Sequence, residues 1–165
     1  MIFVTVGTQM HFDRLISAVD EWAGTDTSRT VVAQAGPSTY RPKFIKSVPF
    51  MSAQDFRDHM HQARVIVSHA GMGSIITALE FGKRIIVMPR RADQGEHRND
   101  HQIATAKYFG SQGHVLVASD KEELFQKLSQ FRSGDTVEPI SSTASPALIS
   151  TLRKFVESGS EPRSR

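Results

Sequence analysis

The chain has 165 residues, enough for one domain with its own core, and its 39% hydrophobic and 22% charged content is ordinary for a globular protein. It has no cysteine, which excludes disulfides and thiolate metal sites and fits a reducing compartment such as the cytoplasm. Lys and Arg number 20 against 17 Asp and Glu; the net charge of +3 suits phosphate ligands or an anionic surface but is too weak to argue for nucleic acid.

The first residues lack the basic start of a signal peptide, and no apolar run approaches the roughly 20 residues of a membrane span. Residues 2–6 read as a buried strand. Residues 11–22 follow with Phe12, Leu15, Ile16, Val19 and Trp22 at helical spacing. Residues 30–34 are a second strand, broken by Ala35-Gly36-Pro37-Ser38, and residues 43–50 a third. Ser52 caps a helix to about His61, with Asp55 at its third position. Residues 64–68 are a strand, 74–81 a helix stopped by Gly82, and 84–88 a strand stopped by Pro89. Residues 90–98 form a charged loop, 99–109 a helix ended by Gly110, and 114–117 a short strand. Asp120 caps a helix to about Phe131. Residues 132–145 read as a loop, 146–156 as a final helix and 158–165 as a disordered tail, so the domain is expected to span 1–157.

This rhythm predicts an α/β fold, a doubly wound parallel sheet of Rossmann-like type. Ligands of such sheets sit at the carboxyl ends of the strands. Loops beginning at Gly7, Gln34, His69 and Pro89 fall there. In Ser68-His69-Ala70-Gly71-Met72-Gly73-Ser74 a strand runs into a glycine turn that opens a helix. Glycines admit a ligand to the backbone, and the first N–H groups of the helix point at it. The stretch reads as a cradle for the diphosphate of a nucleotide. His69 is either a structural histidine or a ligand-facing one. His97 and His101, four apart, would share a helix face, but without a His-Glu-x-x-His pattern the zinc reading is set aside and no metal is expected. His11 reads as solvated.

Gly7-Thr8-Gln9 with Phe12 and Leu15, the Ser68–Ile75 stretch, Gly82-Lys83 and Asn99-Asp100-His101-Gln102 occur in that order. The set resembles the C-terminal, donor-binding half of family 28 glycosyltransferases across residues 1–130. It is most similar to single-domain members that work as one half of a split enzyme. These are the catalytic subunit of the eukaryotic N-glycan UDP-GlcNAc transferase and bacterial exopolysaccharide subunits. Met88-Pro89-Arg90-Arg91 and the 95–102 stretch look most like the bacterial group.

The resemblance implies half of a GT-B fold and an inverting, metal-independent hexosyltransferase that needs no cofactor and uses a nucleotide sugar, with UDP as the nucleotide. By resemblance Gly71, Gly73 and Ser74 face the diphosphate, with Met72 among them, and Gly7 and Thr8 line the same cleft. Gln102 lies near the ribose or the transferred sugar, beside Asn99, Asp100 and His101. Thr77 stands where many members carry a glutamate that binds the ribose, and Glu80 follows three residues on. A cation for the leaving diphosphate would come from Arg90, Arg91 or Arg98, and a free guanidinium would suit a uronate donor.

In two-domain relatives the catalytic base comes from the N-terminal half, so by resemblance it is expected from outside these residues. A membrane-anchored partner subunit is therefore expected, presenting a polyprenyl-diphosphate-linked saccharide at the inner face of the membrane, with the chain peripheral there. Trp22, Phe50, Met51 and Phe109 are candidates for the partner surface. The alternatives are a non-catalytic nucleotide-binding subunit and an epimerase-like protein. A dinucleotide module is disfavoured because Val4-Thr5-Val6-Gly7-Thr8-Gln9-Met10 lacks Gly-x-Gly-x-x-Gly.

Overall fold

In the computed structural model the described residues are 1–130, 139–140 and 150. The expected loop over 132–145, the helix over 146–156 and the tail over 158–165 lie essentially outside them. The elements are β1 (Ile2–Thr5), α1 (Asp13–Gly24), β2 (Val31–Gln34), β3 (Lys46–Val48), α2 (Ala53–Gln62), β4 (Val65–His69), α3 (Met72–Glu80), β5 (Ile85–Met88), α4 (His101–Ser111), β6 (Leu116–Val117) and α5 (Lys121–Gln130).

The strands form one six-stranded sheet in the order β3-β2-β1-β4-β5-β6, every pair parallel. Alternation along the strands divides the core in two. Val4, Val67, Ile86 and Met88 pack with Leu15, Ile16 and Val19 of α1 and with Leu124 and Leu128 of α5. Phe3, Ile66, Ile85 and Val87 pack with Met60 of α2, Ile75 and Leu79 of α3, and Ala106 of α4. This is the doubly wound α/β architecture expected from the sequence. The strand order reverses between β1 and β4, and ligands in such sheets bind outside the carboxyl ends at that point. Among the described residues no helix is long and apolar enough to cross a membrane.

Local chemistry explains most boundaries. Ser52 Oγ accepts the Asp55 N–H at 3.0 Å, and Asp120 Oδ1 accepts the Glu123 N–H at 2.8 Å, as capping predicts. Gly82, at φ 61°, lets the Lys83 N–H turn back to Ala78 O at 2.8 Å and closes α3.

Other boundaries differ. The third strand shrinks to Lys46–Val48, an exposed edge. The preceding backbone is gathered by the buried Asp20 carboxylate, which accepts the N–H groups of Lys43, Phe44 and Ile45 and the Tyr40 hydroxyl. Gly110 lies inside α4, where a Cβ would meet Val117 at 2.8 Å; Gly113, at φ 72°, ends the helix instead. Trp22 is buried and Phe109 packs in the core, so neither belongs to an exposed partner surface, whereas Phe50 is 54% exposed.

Candidate functional site

A cavity of about 700 Å³ opens at the carboxyl ends of β1, β2 and β4. Its floor is polar and sequence-local in origin. Thr5 and Gln34, the last residues of β1 and β2, line it and stand in register with each other and with Ser68 of β4, which is outside the lining. All are buried, and the Thr5 hydroxyl donates to Gln34 Oε1 at 3.0 Å while accepting the Gly7 N–H at 3.2 Å.

One wall is the start of α3. Its N-cap is Gly71, which has no side chain to offer, and no acidic residue lies in the first turn. The N–H groups of Met72, Gly73 and Ser74 have no intrahelical acceptor, and the macrodipole adds partial positive charge at this end. The two glycines have different jobs. A Cβ on Gly73 would meet nothing within 4 Å, so this position borders open cavity. A Cβ on Gly71 would lie 2.2 Å from His69 Nε2, and one on Gly7 would lie 2.9 Å from His69 Cε1. Gly71 and Gly7 thus make room for the imidazole that fills the space between them. Burial, with the Arg90 charge second, holds His69 at about pKa 4 despite a hydrogen bond to the Thr5 backbone. The ring is neutral near neutral pH and offers no fixed cation.

The second wall carries Arg90, His97, His101 and Gln102. Arg90 is buried, not part of an exposed charged loop. Its Nη2 donates to Val6 O at 2.7 Å and Met10 O at 2.6 Å; its Nη1 donates to His11 O and to Glu96 O at 3.2 Å. Burial pulls its pKa down and the Glu96 charge pushes it up. Arg91 lies outside the cavity in a forked ion pair with Asp93, at 3.0 and 2.8 Å. The free guanidinium that a uronate would need is therefore absent at both positions, and the uronate expectation falls. Gln102 is buried and its Oε1 accepts the Arg90 N–H at 3.2 Å. This fixes the amide and leaves its NH2 group without a protein partner among the described residues.

The expected residues divide accordingly. Gly7, Thr8, His69, Gly71, Gly73, Ser74, Thr77, Arg90, His101 and Gln102 line the cavity. Met72, Arg91, Asn99 and Asp100 do not: Met72 is exposed, Asp100 Oδ1 accepts the Ala92 N–H at 2.9 Å, and Asn99 Oδ1 bonds His101 Nδ1. Thr77 Oγ1 donates to Gly73 O at 2.8 Å, leaving its lone pairs as acceptors. Glu80 is not in the cavity wall, so it supplies no carboxylate in place of Thr77.

His97 precedes α4 and shares no helix face with His101, although their rings meet at 4.5 Å. Among the described residues no group of three His, Cys, Asp or Glu side chains is placed to hold a metal ion. The third wall, Met51, Ser52, Ala53, Phe56 and Arg57 at the start of α2, was not anticipated as site lining; Ser52 was read only as a helix cap. Glu96 was also missed. It is buried and accepts Arg14 at 2.7 and 2.8 Å across 82 residues of chain, a pairing with no signature in sequence spacing.

Strand order and cleft together define a Rossmann-like domain of the kind that forms half of a GT-B fold. It superposes on rice Os79 in complex with UDP with a TM-score of 0.59 at 17% identity, covering 81% of this chain and 32% of that one. On the solution structure of ALG13 the TM-score is 0.58 at 18% identity, covering 94% and 96%. The chain belongs to the glycosyltransferase family 28 C-terminal domain family, whose model matches residues 1–147. It is similar to the UDP-N-acetylglucosamine transferase subunit ALG13 of Mus musculus, 30% identical over 130 residues that cover 71% of this chain and 10% of the mouse protein. It is 26% identical to the same subunit of Yarrowia lipolytica over 140 residues, 75% of this chain and 67% of that protein. The chain thus spans a tenth of the first relative and two thirds of the second.

Proposed function

We propose that this chain is the donor-binding, catalytic subunit of a two-part hexosyltransferase and that its cleft takes a UDP-sugar with the diphosphate at the start of α3. The observation that carries this reading is the uncapped α3 N-terminus opening on a cavity in which Gly73 leaves free space. The choice of UDP follows the mouse and Yarrowia relatives, which are UDP-N-acetylglucosamine transferase subunits.

Transfer breaks the bond from the anomeric carbon to the diphosphate and forms one to the acceptor oxygen. Negative charge grows on the leaving diphosphate, and a helix N-terminus aimed at it stabilises that charge in the transition state. The N–H groups of residues 72–74 do this without a metal, so activity is expected to survive EDTA. The Gln102 NH2 group, held by Arg90, is placed to donate to the donor sugar or ribose. An inverting transfer also needs a base for the acceptor hydroxyl. His69 sits wedged between Gly7 and Gly71 rather than beside an acceptor path, so the base is assigned to a partner subunit, anchored in the membrane. The finer setting is a polyprenyl-diphosphate-linked acceptor in bacterial exopolysaccharide synthesis at the inner membrane face. It follows from the resemblance read in residues 88–91 and 95–102 of the sequence.

The test is ligand-observed NMR with UDP, GDP, ADP and NAD in parallel, with Gly73→Val as control. Signal for UDP that the variant loses supports the donor site. A preference for GDP or ADP keeps the cleft and changes the donor. No signal from any nucleotide, with or without a co-expressed partner, overturns the reading; UDP binding without transfer in the presence of the partner favours a non-catalytic subunit.

A further inference from the structure

The loop between β1 and α1 and the segment between β5 and α4 meet across the cleft, and one side chain joins them. We propose that Arg90 is the positioning residue of the cleft. Its guanidinium fixes the β1–α1 loop while its backbone N–H fixes Gln102, so both present one rigid face to the nucleotide sugar. The proposal rests on the donor-site reading above and assigns a role within it.

The loop has little else to hold it. Among the described residues, no N–H or C=O of residues 7–11 takes part in a backbone–backbone hydrogen bond. Gly7 is at φ 76°, Thr8 and Gln9 are exposed, and the segment has no helix or strand. Its carbonyls turn instead to one point. Val6, Met10 and His11 all accept from Arg90, bracketing Gly7, Thr8 and Gln9, which line the cavity. From the other side Glu96 O accepts from the same guanidinium, and Gln102 Oε1 accepts the Arg90 N–H. The guanidinium also lies 4.9 Å from the centre of the Phe12 ring, which bounds its movement at the head of α1.

Chemistry requires arginine here. A planar fork with several N–H groups can serve carbonyls lying in different directions; the ammonium of lysine is a compact point charge on a flexible stem. Both Nη atoms are spent on protein carbonyls, so Arg90 is not the cation that meets the diphosphate. The network continues outward. The Glu96 carboxylate accepts the Arg91 N–H at 2.9 Å and the Arg14 fork, and Arg14 also donates to Pro89 O at 3.0 Å and Ser119 O at 3.2 Å. The clamp is thereby tied to α1 and to the segment before α5.

The test is Arg90→Lys in the full chain, read by amide NMR spectra and by UDP titration. In the ligand-free variant, amides of residues 7–11 and 102 are expected to shift while those of α2 and α5 stay in place. UDP affinity is expected to fall about tenfold, and the losses of Arg90→Lys and Thr8→Ala are expected not to add, because Arg90 acts through that loop. Unchanged loop amides, with losses that add to Thr8→Ala and shrink from UDP to uridine, would mean a direct phosphate contact and overturn the proposal.

Should Arg90→Lys not fold, Arg14→Lys at the outer end of the network decides. It is expected to shift amides of residues 89–102 and weaken UDP about threefold; unchanged amides there overturn the clamp. Failure of the unaltered chain to bind UDP would count against the donor site, while the ligand-free spectra would still judge the clamp.

Discussion

Helices α2 and α3 start on the same cleft and start in opposite ways. α2 closes its own end: Ser52 accepts the Asp55 N–H, and the Asp55 carboxylate sits in the first turn. α3 begins with Gly71, Met72 and Gly73, with neither a side-chain cap nor an acid. A missing cap costs about 1 kcal/mol of helix stability. At α2 the cap takes one of the free N–H groups and the Asp55 carboxylate offsets the positive end. At α3 the N–H groups and the partial charge are left for whatever enters the cavity. The contrast separates a helix end capped and offset by its own side chains from one that offers neither cap nor acid.

The largest effect should come from filling the space behind α3. Gly71→Ala puts a Cβ 2.2 Å from His69 Nε2; a loss of about 3 kcal/mol or more is expected in urea unfolding. Rescue by adding His69→Ala would show that the imidazole sets the requirement. If Gly71→Ala unfolds like the parent chain, the steric account of this glycine is wrong.

Next in size is the pH dependence of the same imidazole. A histidine in the unfolded chain titrates at 6.5, and in place His69 titrates at about 4. Between these values the unfolded chain binds a proton that the folded chain does not, so this contribution is fully present above pH 6.5 and is lost as pH falls towards 4. The loss amounts to at most about 3 kcal/mol. Asp20 adds in the same direction at lower pH. Burial raises its pKa, but the Lys43 and Phe44 N–H groups, the Tyr40 hydroxyl and the Ile45 N–H outweigh burial and lower it. Urea titrations at neutral and mildly acid pH measure the slope; a flat profile through the histidine window would remove the buried neutral imidazole.

Gly73→Ala sharpens the contrast from the other side. With no neighbour within 4 Å and a helical position, the methyl should leave stability unchanged or raise it by about 0.5 kcal/mol. Crowding the open side of the cradle should weaken UDP about tenfold. A stable variant that binds UDP as well as the parent chain would place the diphosphate elsewhere. The smallest expected effect is at α2: Ser52→Ala should cost about 1 kcal/mol and move UDP affinity less than Gly73→Ala does.

The parts of the molecule visible in the sequence are those made by neighbours in the chain. Strands β1, β2, β4 and β5 are runs of apolar residues, and Ser52, Gly82 and Asp120 mark helix ends through bonds that span a few residues. The glycine turn before α3 was legible for the same reason. What could not be read depends on distance. Arg90 looked like a cation free for a ligand because most of its acceptors are remote in sequence; Val6 and Met10 lie 84 and 80 residues away. Gly71 looked like a phosphate glycine, yet its Cβ is excluded by a side chain whose place is set by the packing of β1 against β4. The edge strand was overestimated because residues 43–45 have strand-like composition, whereas the Asp20 carboxylate on α1 takes their N–H groups.

The strand order has a consequence for how the chain is made. β1 lies between β2 and β4, but β4 follows only after β2, β3 and α2. On a ribosome one flank of β1 therefore stands without its neighbour for a time on the order of seconds. The backbone N–H and C=O groups of that edge stay unpaired until β4 arrives, and open strand edges invite pairing with other chains. Synthesis of this domain thus passes through an interval with an open central strand edge, before the α3 wall of the cleft exists.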